Sequence, residues 1–267
     1  MFKKIALASA IAASAAFATW DYYPVLEAGK GSAEAGLYYD WDHDWSQAGA
    51  KIGARYSLIQ GLELSLQSWG YQFWGETDCD GCANGGDGLR DLIIGARYEI
   101  APMITTFLDL NLPIGKDDWD GNGTSRPGSD EIFIYAGAQF SAPINDVPGM
   151  KFGTEAGILW GFEHHNEERG LDIHLAGEIS YTVPDVGVTP FVGLQIKYRL
   201  TESEYEADDG KEYGHNDDGN KQINIWLGAD YFVIPNQLDL IAKLIIRSGK
   251  VDDGDASGIY LGAEFFF

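Results

Sequence analysis

The stretch that decides the fold is the last one, "GIYLGAEFFF", residues 258–267. Its residues alternate. Ile259, Leu261, Ala263, Phe265 and Phe267 share one face of a strand, and Tyr260, Gly262, Glu264 and Phe266 share the other. A soluble domain usually frays into polar residues at its end. Here the sequence runs out inside a strand with one uncharged face, and the question is what that face touches.

The same alternation occurs eleven more times, in Ala33–Trp41, Ala50–Leu58, Leu62–Ser68, Leu92–Ile100, Ile104–Leu112, Ile132–Phe140, Phe152–Phe162, Leu171–Tyr181, Val192–Leu200, Ile223–Val233 and Leu238–Ile246. One face of each segment carries no charge. The other face carries Lys51, Arg55, Glu63, Arg97, Glu99, Asp109, Glu155, His174, Glu178, Lys197, Arg199, Asp230, Asp239, Lys243, Arg247 and Glu264, in mid-strand and not only at strand ends. Connections also alternate. "IQG" at 59–61, "APM" at 101–103, "NDVPG" at 145–149, "PDVG" at 184–187 and "PNQ" at 235–237 are short turns. Long polar loops fall near 75–89, 116–130, 163–170, 201–221 and 248–257, and a shorter connection at 42–47 belongs to their side. An even strand count puts the short turns and both chain ends on one side.

The chain has 267 residues, 34 of them glycine, and a formal net charge of −23. That balance argues against nucleic acid as a partner, because phosphate binding needs a basic surface. The acid clusters in the loops, as in "DWDHD" at 40–44 and "ESEYEADDG" at 202–210. No apolar run reaches the 18 residues of a transmembrane helix. At the start, Lys3 and Lys4 precede a small apolar run, Ile5–Ala15, and Ala16-Phe17-Ala18 fits a cleavage site. The expectation is a secretory signal peptide over residues 1–18, a short periplasmic segment over 19–32 and a barrel over 33–267.

Alternation alone does not say which face is outside. A soluble sandwich hides its apolar face, whereas a membrane barrel turns it to lipid. The export signal, the long and short loop asymmetry, and a strand number above the roughly eight that side chains can fill favour the membrane. So do two candidate aromatic girdles: Tyr56, Tyr98, Phe140, Phe152, Tyr181, Tyr231 and Phe265 toward the short turns, and Tyr39, Trp41, Trp160, Phe162 and Tyr198 toward the long loops. The fold expected is all-β, a closed antiparallel up-and-down transmembrane β-barrel of about twelve strands in the outer membrane of a Gram-negative bacterium. Phe265 and Phe267 then face lipid at the periplasmic interface. The terminal pattern resembles the assembly signal that the barrel-assembly machinery reads.

The stretch "GDGLRDLIIGARYEI", residues 86–100, carries Gly86, Gly88, Leu89, Asp91 and Leu92, then Arg97 and Tyr98. Leu112, Pro113, Gly115 and Asp118 follow, and "GSDE" at 128–131 opens the next strand. Over these roughly 50 residues the chain resembles the outer-membrane transporters named for the meta pathway of phenol degradation. The resemblance implies an outer-membrane channel for small solutes, small apolar or aromatic compounds among them.

Cys79 and Cys82 form "CDGC" in an outer loop, which in an exported protein reads as a disulfide clip ahead of a redox motif. Asp118, Asp120 and Glu131 partly match a calcium loop, and a solvated acidic loop is the plainer reading. Divalent ions bridging such loops to lipopolysaccharide phosphates lie between the two. His164 and His165 stand beside acids with no further His near in sequence. No nucleophile, base and orienting group fall together, so no enzyme and no cofactor are expected. The functional reading rests on the charged face. Lys51, Arg55, Arg97, Lys197, Arg199, Lys243 and Arg247, facing Glu99, Asp109, Glu155, Glu178, Asp230 and Glu264, are expected to line a pore for small solutes. The alternative is a closed barrel, its charges paired and Phe107, Tyr135 or Trp226 filling the gap, that acts through its acidic loops.

Overall fold

The computed structural model describes residues 24–77, 86–116, 127–129, 131–163, 167–206, 212–214, 216–251 and 254–267. The expected signal peptide lies outside the described residues. Twelve long strands follow one another: β1 (Gly31–Trp41), β2 (Trp45–Ile59), β3 (Leu62–Thr77), β4 (Leu92–Ala101), β5 (Ile104–Leu112), β6 (Ile132–Pro143), β7 (Met150–Phe162), β8 (Asp172–Tyr181), β9 (Val188–Arg199), β10 (Lys221–Ile234), β11 (Leu238–Gly249) and β12 (Ala256–Phe266). Each pairs antiparallel with the next, and β12 pairs back onto β1 from Ser32↔Phe266 to Trp41↔Ser257. The sheet is closed, so it has no free edge, the condition for backbone to sit in lipid. Twelve strands about 4.8 Å apart and tilted about 40° make a backbone cylinder about 24 Å across.

The two faces are sorted as in a membrane barrel. Leu37, Trp160 and Leu261 are 57%, 56% and 57% exposed, while Lys51, Glu63 and Arg247 are each 2% exposed. A soluble sandwich would show the reverse, so apolar exposure on this scale settles the orientation. The outward aromatics gather at two levels. Tyr39 stacks on Trp41 at 5.3 Å and Trp160 on Phe162 at 5.3 Å toward the long loops; Phe140 meets Phe152 at 5.5 Å and Phe265 meets Phe267 at 6.3 Å toward the short turns. Phe267 is held by its backbone, which donates to Gly31 O at 2.9 Å.

One strand is longer than its alternation indicates. The sequence pattern of β3 stops at Ser68, yet the strand continues to Thr77. The register against β4 slips between Leu66 and Ser68. A bulge adds one residue and reverses the parity, so Leu64 faces out below it and Tyr71 and Phe73 face out above it. The short turns use the expected chemistry. Pro102 and Pro235 are each followed by a residue with positive φ, Met103 at 70° and Asn236 at 60°, the pattern of a type II turn.

Short pieces decorate the long-loop end. Gly88–Leu89 pairs with β3, and Glu167–Glu168, Glu204–Glu206 and Glu212–Gly214 form a separate three-stranded sheet.

Candidate functional site

The inward face of the barrel holds nearly all its charge. Lys51, Arg55, Arg97, Asp109, Glu155, Glu178, Lys197, Arg199, Lys243, Arg247 and Glu264 are buried inside the wall, and Glu99 and Asp230 are half-buried there. The sequence therefore places these side chains on the correct side of every strand. Some pair with a neighbour: Arg97 grips Asp109 with two hydrogen bonds of 2.8 and 3.2 Å, and Gln139 and Tyr135 both donate to Glu155, Gln139 at 2.8 Å. Trp226 Nε1 donates to Glu178 at 2.5 Å.

Large rings share this face with the charges, and glycines hold them against the wall. Trp226 on β10 lies over its cross-strand partner Gly193 on β9, and Phe191 on β9 lies over its partner Gly228 on β10. Tyr38 lies over Gly49, Tyr135 over Gly157 and Tyr260 over Gly36. A side-chain carbon at any of these glycines would overlap the ring. A ring laid on a glycine runs along the wall instead of projecting to the axis. Each glycine sits in mid-strand at an inward position, where an ordinary strand is weakened by it. That placement is the signal in the sequence; alternation of charge and apolarity passed over it.

At the long-loop end Arg199 and Arg169 form one connected network, and two further contacts, Arg247 with Asp40 and Arg90 with Tyr38, stand beside it. Arg199 donates to Asp172 at 2.7 Å, to Ser203 at 2.6 Å and to Asp217. Arg169 donates to the same Asp172 at 2.8 Å and to Glu131 at 3.4 Å. Arg247 reaches Asp40 at 3.4 Å, and Arg90 reaches Tyr38 at 2.9 Å. Asp172 is fully buried between two guanidinium groups, the geometry that makes a buried carboxylate tolerable. Burial disfavours ionisation of Asp217, but the Ser203 N–H at 2.7 Å and Arg199 outweigh it and hold its carboxyl below the ordinary carboxylate range. The network joins the loops that follow β7, β9 and β11, since Arg199 also donates to Val251 O at 3.4 Å.

The two halves of the family-like motif meet at this end. Asp91 accepts from Gly115 N at 2.9 Å and from Ser129 N and Oγ at 2.6 Å each. Lys116 N donates to Leu89 O at 2.8 Å, and Gly128 N to Lys116 O at 3.1 Å. Gly115 and Gly128 touch, leaving no room for a side chain at either. These residues act as a clasp that fixes two loops to the barrel wall. Glu131, read as a calcium ligand, instead takes Arg169, while Asp118 and Asp120 lie outside the described residues, as do Cys79, Cys82, His164 and His165.

At the short-turn end the pattern is different. Glu34 on β1, Glu264 on β12 and Asp239 on β11 are direct cross-strand neighbours, Glu34↔Glu264 and Glu264↔Asp239. Asp230 on β10 lies within their electrostatic reach. Tyr260 donates to one oxygen of Glu34. Nearby, Leu26 N donates to Glu63 at 3.0 Å, tying the segment before β1 to the inner wall.

No protein-family model matches the chain, and no curated protein sequence matches it. Among solved structures, it is similar to a crystal structure of an outer membrane channel from Pseudomonas putida F1, with a TM-score of 0.69 and 15% identity over 92% of this chain and 98% of that one. It is also similar to the NanC porin, with a TM-score of 0.51 and 10% identity over 88% of this chain and 98% of the porin. At these identities the likeness is one of fold. With the lipid-facing exterior and the closed sheet, it makes the chain an outer-membrane β-barrel.

Proposed function

We propose that the protein is an outer-membrane channel that passes small solutes by diffusion through its charged lumen. The observation that carries this reading is the set of five rings laid on glycines. A barrel selected only as a wall or a loop platform gains more from side chains that fill its middle than from glycines that let rings lie flat. The charged groups then line the solute path: Lys51, Arg55, Arg97, Glu99, Asp109, Glu155, Glu178, Lys197, Arg199, Asp230, Lys243, Arg247 and Glu264. Most of this lining is close-packed, at 2–8% exposure, so the reading is confined to small ions and small polar solutes.

The motif resemblance extends the solute class to small apolar or aromatic compounds. The terminal Phe265 and Phe267 serve assembly, and the acidic loops face lipopolysaccharide. Signal-peptide removal ahead of the described residues completes the mature chain.

The test is single-channel recording of the refolded mature protein in a planar bilayer. Steady conductance is the expected result. Folded, inserted protein with no conductance would overturn the channel reading in favour of a closed barrel acting through its loops.

A further inference from the structure

The short-turn end of the lumen carries a row of acids that the barrel itself does not satisfy. Glu34 and Asp239 are each 4% exposed and Glu264 is 6% exposed. One oxygen of each, and one of Asp230, is buried with no hydrogen-bond donor among the described residues. Like charges placed directly opposite across strands are destabilising, and buried acceptors are nearly always satisfied. Here both rules are broken by Glu34, Glu264 and Asp239 on three adjacent strands at one level, and Asp230 adds a further unsatisfied oxygen on the next strand, two residues nearer the long loops. Lys51 acts electrostatically on Glu34, and Lys243 on Glu34 and Asp230; each also lies near a ring, Lys51 Nζ 4.4 Å from the centre of Tyr260 and Lys243 Nζ 5.8 Å from that of Phe191. The four carboxyl groups of Glu34, Glu264, Asp239 and Asp230 share these two ammonium groups.

The shape of the row selects its ligand. Among the described residues no three Asp, Glu, His or Cys side chains converge closely enough to hold one metal ion. Cross-strand carboxylates start about 4.5–5.5 Å apart at Cβ, so the two ends of the directly paired row stand about 10 Å apart. A chain with separated ammonium groups can give each carboxylate its own donor, which a single compact ion cannot. Two rings complete the site. Phe232, the cross-strand partner of Asp239, and Phe266, two residues beyond Glu264, point inward and meet at 6.1 Å. Aromatic faces beside carboxylates favour alkylammonium groups, which present a cation and an apolar stem together.

We infer that the periplasmic end of the lumen is a binding site for linear organic polyamines. The site rests on the channel function proposed above and names the solute class that its short-turn end recognises. The experiment separates the two. Channels are first shown to conduct in KCl, and spermidine is then added to one side at a time, with magnesium chloride as the compact-cation comparison. Spermidine on the periplasmic side should halve the current at a concentration about tenfold below that needed from the other side, and about tenfold below that of magnesium. In the Asp239→Asn/Glu264→Gln variant the periplasmic-side concentration that halves the variant's own KCl current should rise about tenfold. Glu264→Gln alone gives a smaller rise and guards against misfolding of the double variant. Conducting channels that spermidine does not block, or that magnesium blocks equally well, would overturn the polyamine site and leave the channel reading intact.

Discussion

At the long-loop end of the lumen, Asp172 lies between Arg169 and Arg199, Asp217 takes Arg199 and Ser203, and Asp40 takes Arg247. At the short-turn end, Glu34, Glu264 and Asp239 face one another across adjacent strands, each with a buried oxygen that has no donor among the described residues. Both ends are acidic in sequence. What differs is where the basic residues were put. The long-loop end draws arginines from loops and strands onto its carboxylates, and the result is a fastening. At the short-turn end Arg55 is drawn to Glu63 and Ser32, while each acid of the row keeps a buried oxygen with no donor among the described residues, and the result is a field. A buried pair contributes order at little net gain, whereas an unmatched row costs stability and retains the power to attract a cation.

The largest way to break the comparison is to remove the fastening. Arg199→Ala leaves Asp172 and Asp217 short of a partner, and breaking a buried pair costs about 3–5 kcal/mol. The expected outcome is a lower urea midpoint for the folded barrel, with faster proteolysis of the loops after β9 and β11. Unchanged loop protection would mean the network does not hold them. Next is the wall between the two ends. Gly193→Ala forces Trp226 off β9 and breaks its bond to Glu178, at a cost of about 1–3 kcal/mol. The ring then swings toward the axis, so single-channel conductance should fall; Gly177→Ala, where only ordinary contacts lie near, should leave it unchanged.

These two predictions mark the limit of what the sequence could tell. The strand count, the outward face, the loop asymmetry and the inward position of Arg97, Asp109 or Glu264 all follow from a period of two, because each is a property of one strand. Partnership is a property of two. That Arg199 meets Asp172, or that Glu34 meets Glu264 across a closure between residues 230 positions apart, depends on register, which alternation leaves free. Ser68 misled for the same reason in reverse: the bulge there changed the phase, and the pattern seemed to end where the strand only turned over. Gly193 and Gly228 were visible as glycines, but their meaning needed the rings opposite.

Two smaller effects sharpen the contrast. Glu264→Gln should stabilise the barrel, by about 0.2–1 kcal/mol for each like-charge opposition relieved, and raise its urea midpoint. A lower midpoint would show that Glu264 is matched by a partner. Acid should act on the long-loop end with the opposite sign. Asp217 is held below the ordinary carboxylate value of 3.8 in the folded protein, so its contribution is complete above that pH and is lost as pH falls through the lower folded value. Protease sensitivity of the loop after β9 should therefore stay flat from neutral pH down to about 4 and rise only below it. A rise already at pH 6 would contradict the assignment.

The most direct test of the difference between the two ends is the reversal potential of single channels in a KCl gradient, compared between the native protein and the Asp230→Asn/Asp239→Asn/Glu264→Gln variant. The fastened end is charge-matched and should contribute little selectivity, while the unmatched row should make the native channel prefer potassium. The predicted result is a cation-selective potential that moves toward zero in the variant. A native channel that prefers chloride, or a potential that the three substitutions leave where it was, would contradict the account.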